Sequence, residues 1–123
     1  MMLMKKLLKD RNGNLKDELD LVRARYAFPP FMPTDTSNNY IEVPNGYIFY
    51  MVGIEVINED SSNAHTFHIE NPSGNVVSIE YSIPAGETKT IDYWDKGMTE
   101  KIYFVPDAYG KLQFRPYGYL EKV

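Results

Sequence analysis

A chain of 123 residues with 43% hydrophobic side chains is long enough to bury one core without covalent staples, and having no cysteine it can form neither disulfides nor thiolate–metal sites. Its net charge of −4 divides unevenly: residues 1–25 hold seven basic and four acidic side chains, a net of +3, and the rest hold six and thirteen, a net of −7. The acidic body argues against nucleic acid as a ligand, since phosphate binding needs a positive face. Opposite potentials on one chain suit docking between copies or onto an acidic neighbour.

The opening Met1 to Leu8 places Lys5 and Lys6 after its first apolar residues, the reverse of a secretory signal, so none is expected. Leu3, Met4, Leu7 and Leu8 fit one face of a short helix, but Arg11-Asn12-Gly13-Asn14 is a strong tight-turn signal because Asn and Gly tolerate positive φ. The balance favours a hairpin or extended arm. Lys16 to Val22 reads as either a helical turn or a second strand. The arm is placed at residues 1–26 and a proline-rich linker at 27–39. Ala27-Phe28-Pro29-Pro30-Phe31-Met32-Pro33 cannot be helical, because its prolines fix φ and push their predecessors extended. Phe28, Phe31 and Met32 are poor residues to leave in water, so they are expected to lie against the sandwich or a neighbouring subunit.

From Tyr40 to Val123 short alternating runs separated by turn residues predict an all-β domain, an antiparallel β-sandwich of jelly-roll-like form. The expected strands are Tyr40 to Val43, Tyr47 to Ile57, Ala64 to Glu70, Val76 to Ile83, Thr88 to Trp94, Lys101 to Val105, Lys111 to Arg115 and Tyr117 to Val123. The second is apolar on both faces at its start, which predicts a central, covered position. It is also the longest apolar stretch, and with Glu55 inside it is too short for a membrane helix, so no membrane partner is expected. Val77, Ile79, Tyr81 and Ile83 are expected to point inward. Pro116 lacks a donor and is placed at a bend between the last two strands.

His65 and His68 lie three apart on one expected strand and therefore face opposite ways, so they cannot share a metal. His68 and Glu70 share a face and can pair. Neither histidine has a recognisable partner pattern for a triad, and no nucleophile elbow, glycine-rich phosphate loop or metal-helix motif is present. Acid pairs such as Glu80 with Glu87, or Asp92 with Asp95, read more simply as solubilising charge than as glycosidase acids. The ten tyrosines, concentrated towards the end of the chain, fit core or interface packing, with sugar stacking as the alternative. No enzyme, cofactor or metal is expected.

Two stretches carry a family resemblance. Leu7-Leu8-Lys9-Asp10-Arg11-Asn12-Gly13-Asn14 resembles the "LLKD-x-NGN" opening of phage structural proteins. Val43-Pro44-Asn45-Gly46, the Asn58 to Asn63 loop, Ile83-Pro84-Ala85-Gly86-Glu87-Thr88 and Gly118-Tyr119-Leu120-Glu121 are similar, in that order, to the turn words of small phage β-sandwiches. The resemblance implies a non-enzymatic virion structural protein, located in the virion, of the capsid-decoration or head-associated kind. A tail module, or one binding a receptor or surface glycan, is the alternative. The implied partners are other virion proteins and further copies of the chain. Leu3, Leu7, Leu8, Phe28, Phe31 and Met32 are the apolar residues expected to meet them.

Overall fold

The computed structural model describes residues 7–9, 15–17, 23–93 and 97–123. Its elements are all strands: β1 (Leu7–Lys9), β2 (Leu15–Asp17), β3 (Arg23–Ala27), β4 (Tyr40–Glu42), β5 (Tyr47–Asn58), β6 (His65–Glu70), β7 (Tyr81–Ile83), β8 (Thr88–Asp92), β9 (Lys101–Pro106) and β10 (Leu112–Lys122). β1 and β2 pair antiparallel, Leu8 opposite Lys16, while the expected turn residues Asn12 and Gly13 lie outside the described residues. The other eight strands form two antiparallel sheets in the orders β3-β10-β5-β8 and β4-β9-β6-β7. Counted from β3 as the first, these orders read 1-8-3-6 and 2-7-4-5, the double Greek key of a jelly roll.

Period-two alternation aims one row of each strand between the sheets. Phe49, Ile54 and Val56 of β5, Phe67 and Ile69 of β6, Ile102 and Phe104 of β9 and Phe114 of β10 are fully buried. Phe114 sits at the centre, its ring 4.8 Å from that of Phe67 and 5.0 Å from that of Phe104. Each such aromatic contributes roughly 2–3 kcal/mol from burial, with a further increment from ring geometry.

One extra residue in β5 makes this burial consistent. Met51 and Ile54 both point inward although they are three residues apart, because the pairing with β10 steps from Tyr117 opposite Gly53 to Gly118 opposite Met51 and passes over Val52. This β-bulge reverses the inward row of β5 half way along, while β10 keeps a uniform alternation. Strict period-two alternation would put Ile48, Tyr50, Val52, Ile54 and Val56 on one face, and the bulge splits that row, with Ile54 and Val56 buried and Val52 exposed. Gly118, inward beside the bulge, passes so close to β5 that a Cβ there would lie 1.9 Å from the Tyr50 carbonyl oxygen.

β10 runs unbroken through Pro116, which corrects the expected bend and two-strand ending. The Pro116 carbonyl accepts from Phe28 N–H at 3.0 Å, so the missing donor of the proline faces the β3 side, where that strand has just ended. No ladder bond to β5 is lost. β3 itself corrects the arm boundary: Arg23–Ala27 pairs with Glu121 to Tyr117 as an edge of the sandwich, so these residues do not belong to a separate arm or linker. The chain after it also stays on the sandwich, with Phe31 and Phe114 exchanging backbone hydrogen bonds of 3.0 and 2.8 Å while crossing towards β4 in the other sheet.

The segment before Ile83 differs from expectation as well. Only Tyr81–Ile83 is strand, and Val76, Val77 and Ile79 are exposed. Asn71 Oδ1 accepts from the N–H groups of Ser73 and Asn75, and Ser78 Oγ accepts from Ile69 N–H at 2.8 Å. Side-chain oxygens thus replace part of the ladder and turn the apolar residues outward. Of the expected Thr88 to Trp94 strand, Thr88–Asp92 is strand and Trp94 lies outside the described residues.

The Gly118→Ala substitution should cost about 3 kcal/mol in urea unfolding, because the obstructing atom is backbone and has no rotamer to move to. Removing residues 1–27 should lower the melting temperature by more than about 10 °C or leave the chain insoluble, by stripping β10 of its β3 neighbour. Removing residues 1–22 should change it by less than about 2 °C, since every pairing of the sandwich is kept.

Candidate interaction surfaces

The residues singled out from sequence do not gather into one surface. Leu3 lies outside the described residues, and Leu7 and Leu8 lie on β1. Phe28 is buried in the chain's own core, its ring 4.8 Å from both Tyr26 and Phe49 in edge-to-face contact. Phe31 packs 5.4 Å from Phe104 and 5.8 Å from Phe114, and Met32 is half-buried. Phe28 and Phe31 thus lie against the sandwich, one of the two places expected of them, and for buried Phe28 the expectation of a partner contact is corrected to a core role. The crossing from one sheet to the other carries both rings over the open flank of the core, where burial within the chain satisfies them.

The end of the sandwich formed by the Asn58 to Asn63 loop holds the densest polar network. Buried Asn58 donates from Nδ2 to the carbonyls of Asn63, Ile83 and Pro84 at 2.9, 3.1 and 3.2 Å and accepts from Asp60 N–H at 2.9 Å. The Asp60 carboxylate accepts from the N–H groups of Ser62 and Asn63, and its carbonyl accepts from Gly86 N–H. His65, placed inward by the alternation of β6, lies between two carboxylates: Nε2 is 2.8 Å from Asp60 Oδ2 and Nδ1 is 2.9 Å from Asp107 Oδ1. The reading of His65 as lacking partners is thereby corrected.

Carboxylates only accept, so the ring that satisfies both is the imidazolium. The hydrogen bond to Asp60, reinforced by Asp107, holds the His65 pKa above its ordinary value, with burial acting in the opposite sense. The same bond, with help from the Ser62 N–H, holds Asp60 well below the usual carboxylate range. The two shifts describe one interaction and count once. With both ring nitrogens engaged, neither is left to take a proton from a nucleophile, so the arrangement clamps loops together.

The sheet faces offer the remaining surfaces. Outside β6 and β9, His68 Nε2 is 2.6 Å from Glu70 Oε2, the expected same-face pair, and Nδ1 is 3.5 Å from Glu80 Oε1. On the same face the Tyr40 and Tyr103 rings lie 5.6 Å apart, and Lys101 Nζ is 4.5 Å from the Tyr40 ring centre. At one end of the sandwich a cleft of about 970 Å³ is lined by Glu42, Tyr47, Glu100, Lys101, Tyr103 and Val123, among others. Glu100 has a φ of 65°, uncommon for a residue with a Cβ, while its carbonyl takes the Val43 N–H at 2.7 Å. On the opposite sheet, Tyr117 covers Gly53, and Val52 and Tyr119 are exposed. Among the described residues no group of three His, Asp or Glu side chains is placed to hold a metal ion.

No family model and no curated protein matches the chain. Among solved structures it is similar to the coat protein dimer of Tobacco streak virus, with a TM-score of 0.50 and 12% identity over 85% of this chain and 89% of that chain. At this identity the likeness is one of fold. It agrees with the all-β sandwich read from the strand order.

The charged His65 clamp sets a pH dependence. Because the folded pKa of His65 is raised, its contribution is fully present below the unfolded value of 6.5 and is lost as pH rises through the folded value. Because that of Asp60 is lowered, the pair is intact above 3.8 and fails only as pH falls through the depressed value. The His65→Gln variant should therefore melt about 5 °C below the parent at pH 6 and converge towards it as pH rises, followed by circular dichroism at several pH values.

Proposed function

We propose that this chain is a virion structural subunit, of the capsid-decoration or head-associated kind, acting by adhesion to neighbouring virion proteins. The carrying observation is the jelly-roll strand order, in a chain whose fold is similar to that of a viral coat protein over most of both lengths. The engaged nitrogens of His65 fit a part whose polar groups hold shape. The phage-like opening at Leu7 to Asn14 supports placement in a phage particle. In this reading residues 1–22, with Leu3, Leu7 and Leu8, form the attachment element, and the sandwich is presented to solvent or to further copies.

A glycan-binding module is the second reading, favoured by the Tyr40–Tyr103 ring pair on an open sheet face.

Mass spectrometry of purified particles should find the chain in regular, repeated copy number, and antibody labelling should decorate the particle surface. A chain truncated by residues 1–22 should still fold yet be missing from particles. Recovery of the full chain only from the particle-free fraction would overturn the virion reading. Specific retention on a glycan array, abolished by Tyr103→Ala in a chain absent from particles, would favour the second.

A further inference from the structure

We propose that the outer face of the β3-β10-β5-β8 sheet pairs with the same face of a second copy of this chain about a two-fold axis. The inference deepens the structural-subunit reading by naming one contact.

The centre of the face is apolar and shallow. Val52 is 46% exposed because the bulge turns it out of the core, and Tyr119 is 36% exposed. Tyr117 lies flat enough over Gly53 that a Cβ there would meet its hydroxyl at 2.3 Å. Together with Ala27, opposite Tyr117, these residues border a depression of about 530 Å³. Tyrosine and apolar residues at the centre of a patch are the composition that interfaces select, and a second sheet packs face to face at about 10 Å.

The charges give this face its complement. Arg25, opposite Tyr119, is exposed on the β3 edge, and Asp92, opposite Gly53, is exposed on the β8 edge. Between them Arg115 Nη1 and Glu55 Oε1 pair at 2.7 Å and cancel, and Glu121, in the same outward row opposite Arg23, accepts from the Tyr50 hydroxyl at 2.8 Å. The face is thus positive on one edge and negative on the other, about 14 Å apart across three strand spacings. A two-fold axis running parallel to the strands between β10 and β5 lays β3 of each copy over β8 of the other. Arg25 of each then meets Asp92 of its mate, with an offset of two residues, roughly 7 Å, that an arginine side chain can reach. The contact is used twice and closes at two copies.

The other surfaces are less suited to a second copy. The β4-β9-β6-β7 face presents Glu42, Glu70 and Glu80 against Lys101 and His68, so two such faces would repel. Side-by-side antiparallel addition at β3, centred on Arg25, would oppose like charges. The sheet covers roughly 500 Å² in plane, below the ~800 Å² per partner of a standard interface, so the pairing should be reversible and concentration-dependent.

Sedimentation velocity on the full chain should show a monomer–dimer equilibrium between about 1 and 300 μM. Arg25→Glu and Asp92→Arg should each weaken it about tenfold or more, and the double variant, which exchanges the two charges, should restore it to within about threefold. Both positions are exposed, and circular dichroism verifies that the variants fold. A monomer throughout the range, a dimer indifferent to both single changes, or a double variant no better than either single one would overturn the proposal. So would a monomer that instead binds sugar and loses it on Tyr119→Ala. These readings concern the chain alone in solution, so their failure leaves the particle result standing, and the converse holds.

Discussion

The contact on which the rest of the sandwich depends is the approach of Gly118 to the Tyr50 carbonyl. β10 pairs with both β3 and β5, and it can run straight between them because β5 absorbs one surplus residue at Val52. The bulge places Phe49 and Met51 on the inward side in one half of β5 and Ile54 and Val56 in the other, so the core is continuous from end to end. A side chain at position 118 would force the strands apart where the change of phase takes place. The same bulge turns Val52 outward, and the outer surface of the sheet is thus a consequence of how its inner surface is filled.

The two sheets carry unlike exteriors. The β3-β10-β5-β8 sheet shows tyrosine, valine and a neutralised Arg115–Glu55 pair between oppositely charged edges. The other sheet shows carboxylates gathered around His68. The end containing Asn58, Asp60, His65 and Asp107 is tied by hydrogen bonds drawn from three separate connections between strands, which makes it a rigid support beside both sheets.

Much of the sandwich was legible in the sequence because its strands alternate and its turns carry Asn, Gly and Pro at fixed places. β4, β5, β6 and β9 fall close to their expected ranges, and the same-face pairing of His68 with Glu70 follows from period two. β3 was not legible, since Arg-Ala-Arg-Tyr-Ala has few residues that favour strands and is followed by Pro29-Pro30; its partner β10 stabilises it from some ninety residues away. The unbroken β10 was hidden by Pro116, whose missing donor is harmless only because β3 ends beside it. Val77 and Ile79 misled because apolar alternation cannot reveal that Ser78 takes over a ladder bond. The partners of His65 were obscured by sequence distance in the case of Asp107. A signal was nonetheless present: a histidine in the inward row with Phe67 and Ile69 must find acceptors, and Asp60 stood five residues away.

The position of β10 in the chain has a consequence for biosynthesis. It is the last of the eight sandwich strands to be made, yet it lies inside its sheet and separates β3 from β5. During translation β4, β6, β7 and β9 can assemble their sheet while β3 and the β10-facing side of β5 wait with open edges. On the ribosome this sheet can close only once β10 enters between β3 and β5, and pairings of such long sequence separation form slowly. Until then the nascent chain presents the open strand edges most prone to wrong pairing.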